Sequence, residues 1–164
     1  MASLSRRRKR LLSGFWATVL AVMLIVPVPL VAATTERIVV DWHTGLAISG
    51  FDPVAYFTDS AAVPGKADYE YGSGGARWRF RNEGNRAAFA ANPEVYAPQF
   101  GGYDPIVLAR GVATPGHPEI WLIAEKKLYL FYSAEDRAAF AADTETAAGA
   151  AEERWPQVER TLVP

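Results

Sequence analysis

The chain predicts an α+β fold: internally duplicated hairpin-plus-helix units forming a small antiparallel sheet packed with helices. Three observations carry that reading. Gly50-Phe51-Asp52-Pro53-Val54 returns as Gly102-Tyr103-Asp104-Pro105-Ile106, 52 residues later. Pro64-Gly65 returns as Pro115-Gly116, Phe80 as Phe131, and the Arg86–Ala91 run of Arg, Ala, Ala, Phe, Ala, Ala as Arg137–Ala142, each 51 residues later. Between these landmarks apolar residues first alternate and then gather on an alanine-rich stretch, as hairpin arms followed by a helix do. An offset held over a whole segment marks an internal repeat. The copies run from about 50–92 and 102–143, the second shorter by one residue lost between Phe57 and Ala62.

The first 33 of the 164 residues are a different material. Arg6 to Arg10 are all basic, Phe15 to Val26 are uncharged and apolar, and Pro27 and Pro29 interrupt any helix that run would form. Val31-Ala32-Ala33 offers small residues to a signal peptidase, so residues 1–33 read as a signal peptide cleaved after Ala33. Residues 34–164 then form a single exported domain, periplasmic or extracellular. Left uncleaved, the leader would be a membrane anchor, since Leu11 to Ala33 is about long enough to span a bilayer, with the domain outside the cytoplasm. The two prolines favour cleavage, and the membrane enters only through that leader.

The leader holds five of the 17 Lys and Arg residues and none of the 18 acids, leaving 12 − 18 = −6 for the exported part. That balance speaks against nucleic acid as a partner, because phosphate binding needs clustered cations. Both methionines lie in the leader and the chain has no cysteine. The exported part therefore has no disulfide, no thiol nucleophile and no soft ligand, which disfavours Cu(I) as a cofactor.

In chain order, Thr34 to Trp42 alternates as an edge strand or extended lead-in, turned by His43-Thr44-Gly45. Asp52-Pro53 reads as a helix start, Asp accepting from free amides and Pro having none to lose. Tyr69 and Tyr71 alternate on one hairpin arm and Trp78 and Phe80 on the other, around Gly72-Ser73-Gly74-Gly75. Arg77, Arg79 and Arg81 form the solvated face of that second arm. Asn82 caps the following helix, which Asn92-Pro93 ends before a brief turn over Pro93 to Tyr96. In the second copy Asp104-Pro105 caps the start, Ile120 to Ile123 and Leu128 to Tyr132 are the arms, and Ala124 to Lys127 the turn. Leu128 and Leu130 on one face and Tyr129 and Phe131 on the other make this hairpin apolar on both sides. It belongs at the centre of a sheet of about four strands, with the first hairpin nearer the edge. Ser133 caps a helix ending near Asp143, with Asp136 placed as a capping-box acid. Glu145 to Trp155 reads as a last helix with Trp155 packed inward, ended by Pro156 and followed by a loose tail.

Gly50 to Phe57, Asn85-Arg86-Ala87-Ala88-Phe89, Asn92 to Tyr103 and Lys127-Leu128-Tyr129-Leu130 together resemble the YHS-domain family, in the right order and over roughly Ile48 to Tyr132. The resemblance implies a small secreted or periplasmic domain, associated with binding a metal such as copper and without established catalysis. Members commonly carry a cysteine directly after Gly-Gly-Tyr, where this chain has Asp104. A carboxylate there moves metal preference from Cu(I) towards harder ions, so the family's metal role does not carry over at that position.

Three functions compete. The first is a non-catalytic binding or accessory module for a small ligand or protein partner. Its candidate cleft residues are Tyr56, Tyr96, Gly101, Gly102, Tyr103 and Asp104, the Gly-Gly pair permitting close backbone approach. The second is a Cu(II) or Zn site drawing on Asp104 and His117, with His43 and Asp52 as further ligands. The two histidines stand 74 residues apart with no paired ligand spacing. The third is an acid–base enzyme in which Asp52 and Asp104 share a proton across a pseudo-twofold. The non-enzymatic reading is favoured, because capping explains Asp before Pro without further chemistry. On that reading Asp→Asn at either position, Asn being an equally good cap, leaves stability nearly unchanged.

Overall fold

The left-handed turns that open each unit are near copies of each other. Ile48, Ser49 and Gly50 have φ of 43°, 55° and 78°, and Phe100, Gly101 and Gly102 have 54°, 64° and 92°. A computed structural model of the chain describes Glu36–Val163, so the leader read at residues 1–33 lies outside the described residues. After its turn the first unit runs through α1 (Ala55–Thr58), β1 (Lys66–Ser73), β2 (Ala76–Phe80), α2 (Glu83–Ala91) and α3 (Pro93–Tyr96). The second runs through α4 (Pro105–Leu108), β3 (His117–Ala124), β4 (Lys127–Phe131) and α5 (Ala134–Ala142), and α6 (Thr144–Glu159) follows it.

The correspondence reaches the hydrogen bonds. Lys66 pairs with Phe80 and His117 with Phe131, and both hairpins slip register just afterwards, before Glu70 and Trp121. The amide of Gly65 donates to the Gly50 carbonyl and that of Gly116 to the Gly102 carbonyl, both at 2.9 Å. The repeated Pro-Gly has a steric cause. A Cβ on Gly65 would stand 2.5 Å from the backbone of Arg79, and one on Gly116 2.6 Å from the Cβ of Leu130. Two-residue turns with positive φ throughout, Gly74-Gly75 and Glu125-Lys126, close the hairpins, as type I′ geometry requires. Asn82 and Ser133 cap α2 and α5 as read, the Ser133 hydroxyl also donating to Asp136 Oδ2 at 2.7 Å.

The α+β class and its duplicated hairpin-plus-helix units stand, but the strands form two two-stranded sheets and not one sheet of four. The free edge of β2 is met by Leu46 opposite Arg77, and that of β4 by Pro98 opposite Leu128. These single bridges occupy the edges through which the hairpins would have paired, and proline brings no amide to extend a ladder.

The central role expected of the second hairpin takes a different form. Leu128 and Leu130 enter one apolar cluster with Val40, Ile48, Tyr56, Trp78, Phe80 and Phe89. Tyr129 and Phe131 enter another with Val39, Phe100, Tyr103, Leu108, Phe140 and Val158. Strand β4 is thus a wall between two cores, and each buried leucine contributes about 1.5–3 kcal/mol. Strand β2 faces one core only, with Trp78 and Phe80 inward and its arginines outward, Arg79 and Arg77 at 2.8 and 3.6 Å from Glu70. Arg81 pairs with Asp59.

The last helix corrects two expectations. It continues through Pro156 to Glu159, and the tail beyond it is held. The cause lies past the proline: Val158 is buried, Leu162 packs on the second cluster, and the Val163 carbonyl accepts from the Arg37 amide at 2.9 Å. Among the described residues no helix is long and apolar enough to cross a membrane.

Candidate functional site

The two Asp-Pro carboxylates are fully buried and form one device used twice. Asp52 Oδ1 accepts from the amides of Val54 (2.9 Å) and Ala55 (3.3 Å), and Oδ2 from the Arg81 amide (2.8 Å) and Asn85 Nδ2 (2.7 Å). Asp104 Oδ1 accepts from the amides of Ile106 (2.8 Å) and Val107 (3.3 Å), and Oδ2 from that of Tyr132 (2.7 Å). Each carboxylate therefore caps a short helix with one oxygen. With the other it clasps the point, nearly thirty residues on, where a hairpin passes into a helix. The fourth donor is missing at Asp104 because Asp136 stands at the repeat position of Asn85. Burial holds the Asp104 carboxyl above the ordinary aspartate range against the pull of its three amides, and the charge of Asp136 pushes the same way. Among the described residues no hydrogen bond joins Asp52 to Asp104, and every contact above stays within its own unit.

The other residues picked from the sequence are mostly part of the frame. Tyr56 is buried in the first cluster and its hydroxyl donates to the Pro118 carbonyl at 2.7 Å, tying α1 to β3 across the two units. Burial raises that phenol well above its usual range. Tyr103 is buried in the second cluster and donates to the Glu36 carbonyl at 2.6 Å. Tyr96 packs edge-on against Phe57, ring centroids 5.6 Å apart. Gly102 is buried between Val39, Ile48 and Leu130. His43 is exposed beside the ring of Trp42, and His117 is exposed with Nδ1 accepting from the Glu119 amide at 3.2 Å. Among the described residues no group of three or more His, Asp or Glu side chains could hold a metal ion. His117 and Asp104 are not brought together as a ligand set.

Gly101 borders a groove. A Cβ there would stand 1.8 Å from the Arg37 carbonyl, because the lead-in segment crosses directly over it and the Val39 amide donates to the Gly101 carbonyl at 2.8 Å. Ser49 occupies the same place in the first unit and is exposed, with nothing laid over it. The crossing opens a groove of about 460 Å³ lined by Arg37, Ile38, Gly74, Pro98, Gly101, Trp155 and Glu159, among others. Trp155 is half-buried, its ring propped by Phe100 and Tyr103 at centroid distances of 5.9 and 6.3 Å.

The groove is where the duplication stops. Arg37 and Ile38 belong to the lead-in, and Trp155 and Glu159 to α6; neither segment has a counterpart in the other unit. Sequence reasoning passed over Arg37 and Glu159 because it followed the repeated motifs. The signal available was the reverse one, charged and aromatic residues in the segments the repeat does not explain. Compared with protein-family models, curated proteins and solved structures, the chain matches none.

Proposed function

We propose that the chain is an exported, YHS-like, non-catalytic binding module whose ligand seat is the groove between the lead-in, the Gly74-Gly75 turn and α6. The observation that supports this most is that two of the groove's three sides, the lead-in and α6, come from segments that the duplication leaves unexplained. Its volume lies in the range of small-molecule sites, and it combines apolar walls with a few polar groups, as such sites do. The repeated carboxylates are engaged in holding backbone together. The basic and apolar pattern of residues 1–33 supports export, with a periplasmic or extracellular destination.

The test is to isolate the chain from its native host without denaturation and identify by mass spectrometry what it carries. A small molecule retained by the wild type, and lost from Trp155→Ala and Arg37→Gln variants of unchanged melting temperature, is the expected result. Retention unaltered by both substitutions would place the seat elsewhere and overturn the reading.

A further inference from the structure

We propose that the groove selects an α-amino-acid zwitterion with an aromatic or large apolar side chain. This rests on the groove being the ligand seat and adds the chemistry of what sits in it. Arg37 and Glu159 line the same groove with opposite charges. Among the described residues neither side chain has an ion-pair or hydrogen-bond partner, and they are not paired with each other. Arg77, Arg79, Arg81 and Arg86 each stand beside an acid, and Arg37 does not. An unpaired guanidinium and an unpaired carboxylate on one groove are complementary to a ligand that brings both charges itself. The guanidinium presents a planar fork that fits a carboxylate through two parallel hydrogen bonds. The carboxylate of Glu159 accepts from an ammonium group.

The same arrangement works against simpler ligands. An anion without an amine would meet the charge of Glu159, and an amine without a carboxylate would meet Arg37; such repulsion is how specificity is built. Trp155, whose ring packs on Phe100 and Tyr103, offers an aromatic wall, and Ile38 and Pro98 add apolar surface. A volume of about 460 Å³ admits a free amino acid or a dipeptide. A ligand of no net charge also suits a domain whose own balance is −6, from 12 − 18.

Isothermal titration calorimetry on the chain as isolated from its host, stripped of bound molecules by dialysis, decides the matter. The probes are L-phenylalanine, 3-phenylpropionate, 2-phenylethylamine and the dipeptide phenylalanyl-alanine. Phenylalanine should bind at least about tenfold more tightly than the two analogues lacking one charge, a difference of about 1.4 kcal/mol. Glu159→Gln should weaken phenylalanine while abolishing discrimination against phenylpropionate, and Arg37→Gln should do the same for phenylethylamine. The dipeptide arm separates a free amino acid from a peptide end as the source of the zwitterion. Equal binding of phenylalanine and either analogue, or no binding of phenylalanine, overturns the zwitterion and leaves the groove to be judged by the extracted ligand. Phenylalanine binding that survives Trp155→Ala and both charge variants unchanged overturns the groove as well.

Discussion

A buried carboxylate that accepts through both oxygens cannot be replaced by an amide without loss, and that changes what Asp→Asn means here. Asparagine keeps one acceptor, enough for the cap amides of Ile106 and Val107, but turns an NH₂ group towards the Tyr132 amide that Asp104 Oδ2 now satisfies. Two donors then face each other in a buried place. Asp104→Asn should cost about 1–3 kcal/mol, the penalty of an unsatisfied buried group. Asp52→Asn should cost more, because its second oxygen serves both the Arg81 amide and Asn85. Urea midpoints check this, and unchanged midpoints in both variants would refute the clasp. Near-neutral behaviour, expected when capping alone is considered, is therefore replaced by a clear loss. The pH dependence has a definite sign. The folded pKa of Asp104 is raised by burial, so its contribution to stability is fully present below the unfolded carboxyl value and is lost as pH rises through the folded value. The penalty of Asp104→Asn should accordingly be largest in acid and narrow towards neutrality.

Among the elements, α6 departs furthest from its local signals. Proline inside a helix removes one amide and crowds the preceding turn, at about 3 kcal/mol relative to alanine in a helix interior. Pro156 stands one turn from the end and is exposed, so the cost falls on a single hydrogen bond. Burial of Val158 and packing of Leu162 offset it, since both would leave the second cluster if the helix stopped at Trp155. Pro156→Ala should restore the missing bond and raise stability by about 1–3 kcal/mol, read as a higher melting temperature. A lower one would mean that the proline sets the direction in which the last turn approaches the lead-in. The turns differ in the same spirit: Gly74-Gly75 adopts positive φ freely, whereas Glu125-Lys126 takes it with two side chains attached.

At the scale of the whole molecule, what the sequence made legible was what it states twice. Asp52 and Asp104, the Pro-Gly pairs, and the caps at Asn82 and Ser133 could be read because each copy corroborates the other. The groove could not, because Arg37, Trp155 and Glu159 occur once and meet only through tertiary packing. The division into two sheets was hidden for a related reason: the single bridges of Leu46 and Pro98 leave no periodic mark. Strand β4 was legible as apolar on both faces, and the structure converts that into a claim about cooperativity. Leu130 and Phe131 are neighbours in sequence, yet one fills the first cluster and the other the second. If β4 is a shared wall, the halves cannot unfold separately. Leu130→Ala should cost about 2–5 kcal/mol and Phe131→Ala about 3–5, each shifting one transition that far-ultraviolet and near-ultraviolet circular dichroism trace at the same denaturant concentration. Two separated transitions, or a variant that melts its own cluster while amides of the other keep their hydrogen-exchange protection, would mean that the duplicated units fold independently and β4 only abuts them.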